Sequence, residues 1–193
     1  MKSNPDIKKV ARQHAEMAEF FSGGLTVKKT TAEKTESPQV YPGGSDPQNE
    51  VGGLSAKKTA SQEVINELEV IAEQTRQCRK CPLGYIRKNA VPGEGNTSAR
   101  LMFVGEAPGA DEDEQARPFV GRSGQLLDKI IAGCGLKRQD VWIGNIIKCR
   151  PPDNRDPKPE EIIACIPYLQ RQIELIDPEI IVALGAHAAK TLL

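Results

Sequence analysis

An α/β layer fold with a parallel sheet, carried by the residues from Ser61 onward, is the class that this sequence predicts. Helix-period and strand-like segments alternate along that stretch, the order expected when helices cross over between parallel strands. The strand-like segments are unbroken apolar runs such as "RLMFVG" and "EIIVALG", the pattern of strands covered on both faces. A third observation bounds the domain. Residues 22–60 are rich in Gly, Ser, Thr, Lys, Glu and Pro and carry few large apolar side chains, too few to offset the entropy of ordering.

Residues 1–60 are therefore expected to form a flexible, mostly disordered tail, and residues 61–193 the folded domain. Within the tail, Val10, Met17, Ala18 and Phe21 fall loosely on one side of a short helical segment, which at that length needs a partner to hold it. An unidentified protein bound by the tail is the matching expectation. "GGLTVKKT" at Gly23 recurs as "GGLSAKKT" at Gly52, but two separated copies do not make a solenoid. From Ser61, a plausible cap, Val64, Ile65, Leu68, Ile71 and Ala72 recur at helical spacing. "RLMFVG" is a first buried strand ending at Gly105. "SGQLLDKIIAGCG" reads as a helix capped by Ser123 and stopped by Gly133 or Gly135. "VWIGNIIK" is a second strand. "PKPEEIIACIPYLQRQIELI" is a helix beginning near Pro159, with Pro167 predicting a kink or break. "EIIVALG" is a third strand, and "AHAAKTLL" opens another helix.

Lys plus Arg and Asp plus Glu are both 26, so the net charge is zero and no global basicity announces nucleic acid. Locally, Arg76, Arg79, Lys80, Arg87 and Lys88 form a run without an acid, which reads either as a solvated face or as a strip for phosphates. The N-terminus lacks the apolar core of a secretory signal. No run approaches the roughly 20 apolar residues of a membrane span. A cytoplasmic chain, monomeric and free of membrane, is the expectation. In that reducing setting the five cysteines are ligands or plain thiols.

Cys78 and Cys81 form a C-x-x-C pair, and Cys149 and Cys165 are the next candidate ligands. No second C-x-x-C knuckle completes a zinc ribbon. The pair ends a helix rather than opening one after a strand, unlike redox C-x-x-C motifs. One tight pair plus two separated cysteines suits a cluster on four thiolates; zinc and unrelated thiols remain alternatives on spacing alone. Cys134, in "IIAGCGL", reads as a core thiol.

Ligands of such sheets bind beyond the carboxyl ends of the strands. "GEAPG", then Asn145 with "KCRPPDNRDP", then "GAHAAK" all fall there. Glu106 is a carboxylate at that edge, able to cap a loop or to orient a water. Phe119, between Pro118 and Val120, is either core packing or a platform for a flat ligand. "GRSG" at a helix start can hold a phosphate. There is no G-x-x-x-x-G-K-[ST], and "GEGNTS" precedes a strand rather than a helix, so neither common nucleotide motif is present.

Taken together, "CRKCPL", "VPGEGN", "LMFVGEAPGADEDEQARPFVGRSGQLLD", "IGNIIKCRPPDNRDPKPEE" and "IIACIPYL" closely resemble the family 4 uracil-DNA glycosylases, from about Gln74 to the last residue. The resemblance implies a three-layer α/β/α fold around a four-stranded parallel sheet. It implies a 4Fe–4S cluster on Cys78, Cys81, Cys149 and Cys165, structural in role. It implies hydrolysis of the N-glycosidic bond of deoxyuridine in DNA, releasing uracil for base-excision repair. Uracil would leave the base stack to be reached. Phe119 would stack on it, Asn145 would hydrogen-bond O4 and N3–H, Glu106 would place the attacking water, and the backbone of Gly105, Ala107 and Gly109 would line the pocket. Glu112 is the candidate wall against the thymine methyl.

Family members continue into a fourth strand and a histidine-proline-serine loop, whereas this chain stops at Leu193. His187 follows the third strand without the Pro-Ser context and reads as a helix-start or core histidine. An incomplete domain would lose roughly 10²–10³-fold in activity, the scale of one oxyanion-type donor. A DNA- or uracil-binding iron–sulfur module without turnover is the alternative expectation, and a zinc-stabilised scaffold acting through its tail is a third. The extra loop and histidine with which a related branch traps DNA near "ARPFVG" are not in this sequence, which favours hydrolysis.

Overall fold

The structure, a computed structural model, describes residues 60–193. The expected tail helix and the repeated Gly-Gly-Leu segments lie outside the described residues. Helix α1 (Gln62–Gln77) is capped as read, with the Ser61 hydroxyl accepting from the Val64 amide at 3.3 Å. A single turn, α2 (Leu83–Ile86), follows. The sheet contains β1 (Glu94–Gly95), β2 (Leu101–Gly105), β3 (Trp142–Asn145) and β4 (Ile180–Ala183). Helices α3 (Ala110–Gln115) and α4 (Arg122–Gly133) separate β2 from β3, α5 (Pro159–Ile176) separates β3 from β4, and α6 (Ala186–Leu192) follows β4.

The strand order is β1-β3-β2-β4. β2 pairs in parallel with β3 and β4, forming the expected parallel core. The fourth strand is one that the sequence does not advertise: β1, within "GEGNTS", runs antiparallel to β3 and makes the sheet mixed. Gly95 permits this edge, because a Cβ there would lie 2.0 Å from the Val141 carbonyl oxygen.

Successive residues of a strand face opposite sides, and β2 divides its side chains accordingly. Met102 and Val104 join Leu68, Ile71, Leu169 and Ile176 in one core cluster, beneath α1 and α5. Phe103 joins Leu127, Ile131 and Ile143 in a second, beneath α4. Helices thus cover both faces, and each fully buried aliphatic side chain contributes about 1.5–3 kcal/mol.

Three local expectations change. Helix α4 begins at Arg122 with Gly121 as its cap, so Ser123 lies inside the first turn. Helix α5 runs unbroken through Pro167. Pro167 is exposed, so the carbonyl one turn earlier that lacks a partner can be served by water. Cys134 is exposed rather than a core thiol; α4 ends at Gly133, and Cys134 is already its C-terminal cap.

Candidate functional site

Gly105 and Asn145 are partners at the last rung of the β2–β3 ladder. The pairing runs on past the strands, with Ile146 N donating to Gly105 O at 2.8 Å and Ile147 N to Glu106 O at 3.0 Å. Beyond this edge opens a cavity of about 290 Å³, close to the lower limit of roughly 300 Å³ for small-molecule sites. Glu106, Ala107, Gly109, Phe119 and Asn145 all line it. Gly105 stands behind the Phe119 ring and the Asn145 amide: a Cβ there would lie 2.5 Å from both Phe119 Cζ and Asn145 Oδ1.

Phe119 reaches this place through an unusual backbone, with φ of +50°. Such a conformation costs a bulky residue about 1–3 kcal/mol and persists where the surroundings fix it. Gly124 makes room for it, since a Cβ there would meet Phe119 O at 2.0 Å. The Glu112 carboxylate accepts from the Val120 and Gly121 amides, each at 2.8 Å, and from the Gly109 amide at 3.1 Å. Burial opposes ionisation of Glu112, but these amides outweigh it and hold the carboxyl below its ordinary range. Of the "GRSG" amides, that of Gly121 is already committed to Glu112.

Asn145 is 1% exposed, and its Oδ1 has no hydrogen-bond partner. Its backbone is held by a residue that sequence reasoning missed. Lys148, wholly buried, donates from Nζ to Asn145 O at 2.9 Å and to Gln172 Oε1 at 2.8 Å. Gln172 Nε2 in turn donates to Pro92 O at 2.9 Å. Burial pushes the Lys148 pKa down to about 8, opposed by Cys165. No periodicity marks a lysine for the interior, and only the adjoining site residues could have drawn attention to it.

Glu106 is half-buried, with Asp156 and His187 close by. The ligand atoms of the three lie within 4.8 Å of one another, and His187 Nε2 is 3.4 Å from Asp156 Oδ2. His187 occupies the first turn of α6, as its position suggests.

Cys78 caps the C-terminus of α1, Cys81 precedes α2, Cys149 follows β3 and Cys165 lies on α5. All four are free thiols packed in or against one core cluster. Burial raises the Cys149 thiol and pushes the Cys165 thiol up to about 12. Donors already face the sulfurs. Arg87 Nη1 donates to Cys149 Sγ at 2.8 Å, and the Lys148 amide to Cys165 Sγ at 3.2 Å. Burial and then a hydrogen bond with Cys78 raise the Tyr168 phenol. Four thiols packed in or against one cluster, with a guanidinium against one of them, are a donor set of the kind that suits an anionic thiolate-held group.

The basic run is largely committed to the protein itself. Arg76 pairs with Glu69 and Glu73, and Lys88 with Glu114. Arg87 turns to Cys149, while Arg79 and Lys80 lie over the Tyr85 and Tyr168 rings. No described helix is long and apolar enough to cross a membrane.

Comparison with known proteins gives a consistent result. The family described as the uracil DNA glycosylase superfamily matches residues 92–193. The type-4 uracil-DNA glycosylase of Saccharolobus solfataricus is 55% identical over 129 residues, which are 66% of this chain and 60% of that protein. That of Sulfurisphaera tokodaii is 55% identical over 127 residues, 65% of this chain and 58% of that protein. That of Thermotoga maritima is 52% identical over 121 residues, 63% of each. The chain thus spans about three fifths of the length of these curated relatives.

Proposed function

Because the chain belongs to the uracil DNA glycosylase superfamily, we propose that it hydrolyses the N-glycosidic bond of deoxyuridine in DNA and releases free uracil for base-excision repair. The observation that carries this reading is the orphaned Asn145 Oδ1 in the wall of the cavity. A buried acceptor without a partner is costly, and a ligand N–H would complete it. Uracil offers N3–H to Oδ1 and O4 to the Asn145 amide N–H₂. Cytosine presents the reverse pattern, an acceptor at N3 and a donor at N4, and would oppose like to like.

The remaining residues follow from the same pose. The target nucleotide leaves the stack, and the Phe119 ring faces the extruded base. Bond cleavage leaves positive charge on the sugar and negative charge on uracil. Glu106, on the residue after β2, orients the attacking water and accepts its proton as the water adds to C1′. Glu112, fixed by its three amides, is a rigid wall against the thymine methyl. The backbone from Gly105 to Gly109 forms the floor.

Cys78, Cys81, Cys149 and Cys165 would hold a 4Fe–4S cluster, which when bound cross-links α1, the loop after β3 and α5. DNA containing uracil is the proposed partner, met by a monomer in the cytoplasm, where a reducing environment keeps the cysteines as thiols.

The test is single-turnover uracil release from a uracil-containing oligonucleotide by protein purified without oxygen. Release that disappears in Asn145→Ala supports the reading. Binding of the oligonucleotide without release, at high protein excess, would replace it with that of a uracil- or DNA-binding module. A brown preparation containing iron supports the cluster, and a colourless one containing zinc overturns it.

A further inference from the structure

The "VPGEGN" motif has no part in the chemistry above, yet its carboxylate leads directly to Phe119. Gly93 and Gly95 have φ of +122° and +133°, and between them Glu94 sits on the edge strand β1. Glu94 Oε1 accepts from Arg138 Nε at 3.0 Å and from Nη2 at 2.9 Å. Its other oxygen accepts from Arg117 Nε at 2.8 Å. Arg138 belongs to a short 3-10 turn, Arg138–Asp140, just before β3. Its Nη1 donates to Phe119 O at 3.2 Å and to Asp128 Oδ1 at 2.8 Å, and its Nη2 also donates to Pro118 O. Every N–H of the guanidinium fork thus has an acceptor. An exposed arginine that merely paired with a carboxylate would not be so fully committed.

Phe119 is therefore gripped from two sides. Arg138 holds the carbonyls of residues 118 and 119, and Glu112 holds the amides of residues 120 and 121. Between the two grips lies the one positive-φ aromatic residue among the described residues. We infer that Glu94 and Arg138 form a positioning pair for Phe119, holding its backbone so that the ring stands over the base opposite Asn145. This rests on the reading of Phe119 as the base platform. Arg138 touches neither base nor water in this scheme and acts only through the residue it holds.

The experiment reads ring position and turnover separately. The chain is labelled with 4-fluorophenylalanine, and the Phe119 resonance is identified by its loss in Phe119→Leu. Phe103, in the core beneath α4, serves as the internal control of folding. Arg138→Gln is expected to shift or broaden the Phe119 resonance and to keep that of Phe103 sharp, any change there being smaller, since Phe119 packs against the cluster that holds Phe103. It should slow single-turnover uracil release roughly 10–100-fold, the scale of a small misplacement. In a Phe119→Leu background the same substitution should cost nothing further, since residues acting through one another are not additive. Arg138→Lys should recover part of the rate, and Glu94→Gln should reproduce the shift more weakly. An unmoved Phe119 resonance overturns the inference, as does a full multiplication of losses in the double variant. If Arg138→Gln loses the Phe103 signal as well, Glu94→Gln decides by the same criteria. If the unsubstituted chain releases no uracil, the glycosylase reading fails, while the Phe119 resonance still decides the positioning role.

Discussion

Replacing Gly105 with alanine should disable the site while leaving the fold standing. The new Cβ would sit 2.5 Å from Asn145 Oδ1 and from Phe119 Cζ, and 2.8 Å from Phe119 Cε2. Carbon atoms in contact ordinarily stand about 3.5–4.0 Å apart, so relief requires a displacement of roughly 1 Å. The backbone cannot supply it, because β2 is paired on both sides, with β3 and β4. Lys148 anchors Asn145 only through its backbone carbonyl, so the Asn145 side-chain amide and the Phe119 ring are the groups that yield. Overpacking of this kind destabilises by about 1–3 kcal/mol, and a misplacement of about 1 Å can cost on the order of 10²-fold in rate. Single-turnover uracil release and thermal melting, measured on the same preparation, read the two effects. Gly105→Ala combined with Phe119→Leu should regain part of the stability, because the clashing ring carbons are gone while the contact with Asn145 Oδ1 remains, but not activity. Parent-like release by a folded Gly105→Ala protein would refute the reasoning, since it would mean that ring and amide need not meet at that distance.

Other substitutions probe the neighbouring supports. Asn145→Ala should lower uracil release by roughly 10²–10³-fold, the scale of one oriented hydrogen-bonding group, yet melt no lower than the parent, because it removes a buried acceptor that has no partner. Lys148→Met should cost about 2–4 kcal/mol in urea titrations, since it strands the Asn145 carbonyl and Gln172 Oε1. The amides hold the Glu112 carboxyl below the ordinary glutamate range, so its contribution is full above that range and is lost as pH falls through its folded value. The stability difference between the parent and Glu112→Gln should therefore shrink on acidification below about pH 4.3, the ordinary glutamate value, and a difference that stays constant would remove the carboxylate from that role. If the proposed cluster is held by the four thiolates, Cys165→Ser should lower the iron content per chain and the visible absorbance, as measured by metal analysis and spectroscopy.

Much of this architecture is written in local pattern. The parallel core is legible because β2 and β3 are covered on both faces and so read as apolar runs. The cavity residues are legible because they follow the carboxyl ends of those strands. β1 is not, since two residues, one of them a glycine, carry no periodicity. The Ser123 expectation fails for a different reason. A hydroxyl is a good cap, but Glu112 reaches across to the Gly121 amide and the helix starts two residues earlier, with Gly121 as its cap. Gln172 and Arg138 were invisible because their partners lie far away in sequence, and Lys148 because its burial depends on Gln172, 24 positions on. The fate of the basic run was equally hidden, since Glu69 and Glu73 precede it and Glu114 lies 26 positions beyond Lys88.

The pairing of Gly105 with Asn145 also fixes how the site can vary. The carboxylate that follows one strand and the amide that ends the next stand on neighbouring rails, and rails in a sheet are about 4.8 Å apart whatever happens in the loops. Insertions in the turns that carry Pro151 or Asp156 could reshape the rim without altering that gauge. A slip of one residue between β2 and β3 would instead turn Asn145 toward the opposite face, and the proposed base reader would be lost even with every site residue still present.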